Sequence, residues 1–374
     1  MTQIQVGRRA AGIALASVTS LALLAACGGG GDDTEAAAGT GPGGKAVVGE
    51  VAEDAFPGVP LTFVSYGGMF QEGQEAAIKD FGKITGAELL SDGPTLPAKL
   101  KAMVDADNVT WDVVDTGASE ATKNCGTLFM PLDFEKIDIS KTPEGTTGEC
   151  FVPAMSLAEV LIYDPKRFDS APETWADFFD TDKFPGKRGI SGLPGANAGP
   201  IMAALLADGV APEDLYPLDI DRAITKLETI KDDLVFWKTG AELQQMLESG
   251  EVPMAYSWSG RGKESEKNGA NLEPAWGASL HMGDSLAIPM GVKNPDAAHA
   301  LINFYLGKDQ QEIMTEKTSY SPVNVDAQPE VDELTEKWMN TQPEKLEAGV
   351  AFNYAEITKQ YDEISAAWTK FMGE

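Results

Sequence analysis

The sequence predicts an α/β protein of two lobes, each built on a mostly parallel sheet with flanking helices. The chain has 374 residues, and 43% of them are hydrophobic. A chain of this length is too long for one small hydrophobic core and suits two lobes of roughly 150 residues each. Short apolar segments also alternate with amphipathic ones along the body of the chain, and alternating strands and helices are typical of a parallel sheet.

The N-terminal segment predicts export and not a structural element. Arg8 and Arg9 precede an uncharged run that ends in Leu24-Ala25-Ala26-Cys27. Small residues before a cysteine resemble a bacterial lipoprotein signal, so we predict that residues 1–27 comprise a signal peptide and the lipidated Cys27. The alternative is an uncleaved anchor helix with an incidental cysteine. The arginine pair matches the twin-arginine export pattern poorly, which favours the general secretory route.

Residues 28–58 are rich in Gly, Ala, Asp and Glu and offer little apolar surface to bury. We therefore predict that this segment is a flexible tether between a lipid anchor and the folded body. The protein is then expected at the outer face of the cell membrane.

The first part of the body predicts strands over 61–65, 88–90 and 111–115, with a helix after each of the first two. The first strand ends at Tyr66, and the third ends at a run of small residues, 116–119. Ligands of parallel α/β sheets bind beyond the carboxyl ends of the strands. Tyr66, Thr116, Gly117 and Ser119 are therefore candidate ligand-binding residues.

The second part predicts a strand over 158–164 that crosses between lobes and a return strand over 285–289. Between them, Thr174 opens one helix and a capping box formed by Thr239 and Glu242 opens another. A single C-terminal helix is expected from an apolar stripe that ends at Phe371. We predict that lobe one comprises 59–160 plus 285–374 and that lobe two comprises 161–284.

Composition excludes several classes of function. The chain has 29 basic and 58 acidic side chains, a formal net charge of −29, and a nucleic-acid partner needs a basic surface. Only two histidines occur, which excludes a His-rich metal site and disfavours most catalytic mechanisms that depend on histidine. Neither a Ser-His-Asp arrangement nor a Walker or G-x-G-x-x-G motif is found in the body. No metal or cofactor is predicted.

Two cysteines remain once Cys27 is assigned to the lipid. Cys125 and Cys150 form an even pair in an exported protein, where disulfides persist, and we predict that they are bonded. The alternative is two buried free thiols.

Six segments occur in an order that resembles one protein family. They are VSYGGMFQE, TWDVVDTG, TWADFFDTDKFPGKR, AYSWSGR, GDSLAIPMG and SYSPVN. Over about residues 60–330 the chain resembles the extracellular solute-binding proteins of spermidine/putrescine-type ABC importers. The resemblance implies the type II periplasmic-binding-protein fold, with a ligand cleft between two α/β lobes. It further implies a monomer that works with ABC permease and ATPase subunits.

The resemblance also implies roles for individual residues. Asp284 matches the aspartate that holds an ammonium group in polyamine binders, and Trp258 and Tyr66 match aromatic residues that cover the methylene chain. Such contacts combine charge-assisted hydrogen bonds with cation–π attraction. The alternatives are a core residue for Trp258 and a solvated turn carboxylate for Asp284.

Departures from the polyamine pattern point to a different amine. Met282 stands where an aromatic is usual, and the segment around Asn197 lacks the second acidic pair. Arg261 adds a cation that would repel a second ammonium and hold a carboxylate, as in the branch that binds γ-aminobutyrate-like ω-amino acids. A surface salt bridge to Glu264 or Glu266 is the alternative for Arg261.

Tyr320, in SYSPVN, completes the predicted site. Iron-binding variants of the fold use a pair of tyrosines in this region, and SYSPVN contains one tyrosine, so iron is not expected. The sequence therefore predicts a receptor for a small amine: a polyamine such as putrescine or spermidine, or an ω-amino acid. An exported α/β enzyme or an adhesion module is the alternative.

Overall fold

The computed structural model describes residues 44–318 and 320–373. The predicted signal peptide, Cys27 and the first part of the tether lie outside these residues. The strands are β1 (Pro60–Val64), β2 (Glu88–Asp92), β3 (Val113–Gly117), β4 (Val152–Tyr163), β5 (Arg188–Ser191), β6 (Leu234–Trp237), β7 (Met254–Trp258), β8 (Glu273–Ala287) and β9 (Val350–Ala351).

Helices flank the strands throughout the described part of the chain. They are α1 (Gly68–Thr85), α2 (Pro97–Asp105), α3 (Ala118–Lys123), α4 (Trp175–Phe179), α5 (Ala198–Ala207), α6 (Ile220–Glu228), α7 (Gly240–Ser249), α8 (Ser259–Lys267), α9 (Pro295–Tyr305), α10 (Lys308–Thr318), α11 (Glu333–Trp338), α12 (Pro343–Ala348), α13 (Tyr354–Lys359) and α14 (Tyr361–Met372).

The strands form one sheet in the order β2-β1-β3-β8-β4-β7-β5-β6, with β9 paired to β8. Strand β1 is parallel to β2 and β3, and β5 is parallel to β6 and β7. Between these two groups lie β4 and β8, of 12 and 15 residues, paired antiparallel to each other. The sheet thus contains two parallel groups joined by two long central strands.

Local signals account for several helix starts. The side chain of Thr174 and that of Asp177 form the reciprocal hydrogen bonds of a capping box at the start of α4. At α7, the Thr239 hydroxyl accepts a hydrogen bond of 3.1 Å from the backbone N–H of Glu242. Both caps satisfy N–H groups that a helix start leaves unpaired.

Several elements differ from the sequence-based prediction. Strands β4 (Val152–Tyr163) and β8 (Glu273–Ala287) begin well before the crossing strands that the sequence predicts over 158–164 and 285–289. The third strand runs to Gly117 and α3 begins at Ala118, so the small residues 116–119, which we expect to form a loop after a strand that ends at 115, instead form a direct strand-to-helix junction. The single C-terminal helix is divided at Gln360, whose side-chain amide bonds the backbone N–H and C=O of Leu218 at 2.8 and 2.9 Å. A contact 142 residues away therefore sets this break.

The buried side chains form separate cores in the two parallel groups of strands. One core contains Ile190 of β5 and Met254 of β7, and another contains Phe63 of β1 and Val113 of β3. Trp368 of α14 belongs to the first of these cores. The last helix thus packs with strands of predicted lobe two, although we had expected residues 285–374 in lobe one.

A disulfide joins Cys125 and Cys150, whose Cα atoms are 5.6 Å apart. It links the segment after α3 to the residues that precede β4. Within the part of the chain that the structure describes, no helix combines the length and the apolar character needed to span a membrane.

Candidate functional site

Two adjoining cavities open at the carboxyl ends of β1, β3 and β7. The first cavity has a volume of about 360 Å³ and the second about 310 Å³. Both are bounded by the same four side chains, Tyr66, Leu193, Trp258 and Met282. Because they share these four side chains, the two cavities are treated as one cleft.

The structure brings all ten residues of the predicted site into this cleft. Three of them line both cavities, three line the first cavity alone and four line the second alone. In that order they are Tyr66, Trp258 and Met282; Arg261, Asp284 and Tyr320; and Thr116, Gly117, Ser119 and Asn197.

Aromatic side chains build the walls of the first cavity. Tyr66 is 47% exposed and packs edge-on against Phe70, which packs edge-on against Tyr320 at a centroid distance of 5.5 Å. Trp258 is partly buried and contacts Trp237 edge-on at 4.8 Å. Trp258 therefore packs against the core on one side and faces the cleft on the other.

Asp284 lies within β8 and not in a turn, directly opposite Gly117 of β3. Asp284 lines the first cavity, and the residue opposite it carries no side chain. Burial at the base of the cleft raises the pKa of Asp284 to about 7. An ionised carboxylate in this position is costly until a cation pairs with it.

Arg261 lies in the first turn of α8 and lines the first cavity together with Asp284. Glu264 pairs with Lys267 at 3.7 Å, and Glu266 pairs with Lys337 at 2.9 Å. Among residues 44–318 and 320–373, Arg261 forms no ion pair. Its guanidinium donates one long hydrogen bond of 3.4 Å to the side chain of Gln244.

Sequence reasoning missed three acidic residues at or beneath the cleft. Glu159 and Glu120 line the second cavity, and Asp115 lies fully buried below the first. Burial raises the pKa of Glu159 to about 7, while hydrogen bonds from Tyr256 and Trp258 oppose that rise. The available signal was a carboxylate inside otherwise apolar strands, AEVLIY and WDVVD.

The second cavity is shaped by the C-terminal helices as well as by β3. The Tyr354 hydroxyl bonds the backbone N–H and C=O of Gly283 at 2.8 and 3.0 Å. The Tyr361 hydroxyl donates to Glu120 at 3.1 Å. These contacts hold α13 and α14 against β8 and α3, so that the second cavity is partly closed by residues that the sequence did not single out.

Comparison with known proteins gives the family. Residues 76–344 match the family described as bacterial extracellular solute-binding protein. A γ-aminobutyric acid-binding protein of Pseudomonas aeruginosa is 34% identical over 302 residues, 78% of this chain and 84% of that protein. Spermidine/putrescine-binding periplasmic protein 1 of Haemophilus influenzae is 26% identical over 270 residues, 68% of this chain and 73% of that protein.

Solved structures give the same result. The Atu4243 γ-aminobutyrate receptor superposes with a TM-score of 0.76 at 38% identity, covering 83% of this chain and 97% of that one. The protein AgtB of A. tumefaciens R10, solved with agropinic acid, has a TM-score of 0.73 at 31% identity, covering 84% and 99%. The predicted periplasmic-binding-protein fold is confirmed, as is a solute-binding protein in place of an enzyme. The chain belongs to the bacterial extracellular solute-binding proteins.

Proposed function

We propose that this protein is the receptor of an ABC importer and that its ligand is an ω-amino acid of the γ-aminobutyrate type. The observation that carries this proposal is the pairing of one cation and one carboxylate, Arg261 and Asp284, as the charged residues lining the described first cavity. The rest of the lining is aromatic, aliphatic or glycine.

This arrangement complements a zwitterion with a short methylene spacer. The guanidinium of Arg261 can hold the ligand carboxylate through two parallel hydrogen bonds. Asp284 can accept hydrogen bonds from the ammonium group, and Tyr66, Trp258 and Met282 can cover the spacer. The aromatic faces add cation–π attraction of roughly 0.5–2 kcal/mol. A diamine would place its second ammonium beside Arg261, where like charges repel.

Relatives favour the same ligand class. Two relatives described as γ-aminobutyrate-binding proteins share more than 30% identity with this chain: the protein of Pseudomonas aeruginosa and the Atu4243 receptor. The spermidine/putrescine-binding protein of Haemophilus influenzae is less similar, at 26% identity. A second candidate, a diamine or polyamine, is favoured by one observation: Glu120 and Glu159 line the second cavity and could accept a further ammonium.

The proposal extends to the place and partners of the protein. We propose that Cys27 carries the lipid, that residues 28–58 tether the body at the outer face of the membrane, and that the monomer delivers its ligand to a permease driven by ATPase subunits. Two lobes would close over the ligand, lobe two being 161–284 with α14 added on the basis of its packing. Small-angle scattering should then show a smaller radius of gyration with saturating ligand.

The test is calorimetric titration with γ-aminobutyrate and with putrescine. Truncating one partner of a buried charge pair typically costs 2–5 kcal/mol. Arg261→Ala should therefore weaken γ-aminobutyrate by at least roughly 30-fold and leave putrescine unaffected or bound more tightly. Arg222→Ala is the matched control, because Arg222 is exposed and pairs with Asp208 at the surface. Tight binding of putrescine by the wild type, with none of γ-aminobutyrate, would replace this proposal by the polyamine candidate.

A further inference from the structure

A second carboxyl lies behind Asp284, on the same face of the sheet. In the antiparallel pair β3–β8, Gly117 faces Asp284 and Asp115 faces Leu286. Because side chains alternate along a strand, Asp115 and Asp284 point to one face as diagonal neighbours, with Cβ atoms about 7 Å apart. Two aspartate side chains that lean toward each other can close that distance to a hydrogen bond.

Among the described residues, no cation influences the pKa of Asp115. Asp115 has no exposed surface, and one of its carboxyl oxygens accepts a hydrogen bond from the Gln74 side chain. Gln74 is itself buried and accepts from the Ser65 hydroxyl at 2.5 Å. The other Asp115 oxygen, Oδ1, has no hydrogen-bond partner among the described residues. A buried carboxylate without a cation is strongly disfavoured, whereas a neutral carboxylic acid is tolerated.

Other titratable groups near the pair do not supply a counter-charge. Burial and the Asp284 charge both raise the pKa of Asp115. The other titratable side chains that interact with one or both carboxyls come from five separate parts of the fold. They are Tyr66 after β1, Glu159 of β4, Tyr305 of α9, Tyr320 after α10 and Tyr354 of α13. All of these are neutral or negative. Arg261 of α8 lines the same cavity as Asp284, but one cation balances one carboxylate, so we expect the pair to retain one proton.

We propose that Asp115 is a specificity-determining positioning residue, which stays protonated and directs its proton toward Asp284. The inference rests on the proposed function and goes one step beyond it. The hydrogen bond would stabilise the Asp284 anion and orient it toward a ligand ammonium. The two carboxyls together then carry one negative charge, which Arg261 balances. The first cavity has no net charge and matches a zwitterion better than a dication.

Two variants distinguish whether Asp115 acts as a hydrogen-bond donor or as a negative charge. Asp115→Asn keeps a donor of similar shape and is neutral, whereas Asp115→Ala removes the donor. We expect Asp115→Ala to weaken γ-aminobutyrate at least 10-fold at pH 7.5 and to move the midpoint of the affinity–pH profile to higher pH. Asp115→Asn should restore affinity to within about threefold of wild type. A merely structural role would not move the pH midpoint.

The proposal is overturned if Asp115→Asn weakens binding as much as Asp115→Ala, because the charge of Asp115 would then be needed. It is equally overturned if Asp115→Ala binds like wild type. Carbon-13 NMR of aspartate-labelled protein provides a test without any variant. The Asp115 carboxyl should keep the chemical shift of a protonated acid at pH 7.5, and an ionised shift would refute the proposal. This measurement stays decisive even if wild type binds neither γ-aminobutyrate nor putrescine, a result that would refute the proposed function alone.

Discussion

Asp284 of β8 lies directly opposite Gly117 of β3 in an antiparallel pair, and both residues line the cleft. The same position buries the carboxyl, and burial raises its pKa to about 7. The residue best placed to bind an ammonium group is thus unfavourably ionised in the free protein. Ligand binding supplies the missing counter-charge.

Affinity for γ-aminobutyrate should therefore depend on pH. Below about pH 7 the free protein carries a protonated Asp284, which must lose its proton before it pairs with an ammonium. The ligand keeps its charges between about pH 5.5 and 9. We expect the affinity to fall by up to roughly tenfold for each pH unit below 7 and to level off above pH 8. Calorimetric titrations from pH 5.5 to 8.5 measure this, and a flat profile would contradict the proposed role of Asp284.

The same burial should lower the stability of the ligand-free protein. A pKa raised above its unfolded value gives a stabilising contribution that is complete below about pH 4 and is lost as pH rises through about 7. An asparagine at position 284 does not ionise, so Asp284→Asn avoids this loss of stability at high pH. The free energy of unfolding of the variant should therefore exceed that of wild type by about 2–4 kcal/mol at pH 8. At pH 4 the two should be nearly equal. Denaturant unfolding at both pH values tests this, and equal stability at pH 8 would refute it.

Asp284→Asn should also bind γ-aminobutyrate far more weakly, because an amide cannot pair with the ammonium. The expected combination of higher stability and lower affinity is characteristic of a residue kept for function at a cost to the fold. A variant that loses both properties would instead indicate a structural role for the carboxyl.

A buried arginine gives a test of the fold independent of the cleft. Arg188 of β5 has no exposed surface and donates hydrogen bonds to backbone carbonyls of four residues before it. They are Phe178, Asp180, Phe184 and Gly186. Arg188→Met would leave several buried carbonyls without donors, at about 1–3 kcal/mol each. We expect at least about 3 kcal/mol of lost stability in denaturant unfolding.

Arg222→Met is the control for Arg188→Met, since Arg222 is exposed and its ion pair with Asp208 should contribute less than about 1 kcal/mol. If the two substitutions lower the free energy of unfolding equally, the carbonyl contacts of Arg188 do not stabilise the fold. Arg188→Lys should recover part of the loss, because an ammonium retains some of the donors.

The sequence predicts where the cleft lies, but not which buried acidic residues lie in it or beneath it. Tyr66 and Thr116 were placed correctly because the ends of parallel strands meet at one edge, a rule that needs no tertiary detail. Glu159 and Asp115 were missed because a single carboxylate in an apolar strand does not reveal whether it faces solvent or another carboxyl. The break at Gln360 was missed for a related reason, since its cause is a hydrogen bond to Leu218, far away in sequence.

The final prediction concerns how Arg261 is held in the cleft. Gly240, the first residue of α7, lies against its guanidinium: a Cβ added at position 240 would be 2.6 Å from Nε and 2.8 Å from Cζ. Gly240→Ala should therefore push the guanidinium aside. The cost in stability should be small, because the clashing atoms end a flexible side chain and alanine suits a helix better than glycine.

We expect Gly240→Ala to weaken γ-aminobutyrate by roughly 5- to 30-fold, that is, by about 1–2 kcal/mol, while the melting temperature stays within about 2 °C of wild type. The effect should depend on Arg261. In the Arg261→Ala background there is no guanidinium to displace, so adding Gly240→Ala should change the affinity less than twofold. Calorimetric titration of the four proteins of this double-mutant cycle gives the coupling directly. If Gly240→Ala weakens binding equally in both backgrounds, the glycine acts through the wall of the cavity and not through Arg261.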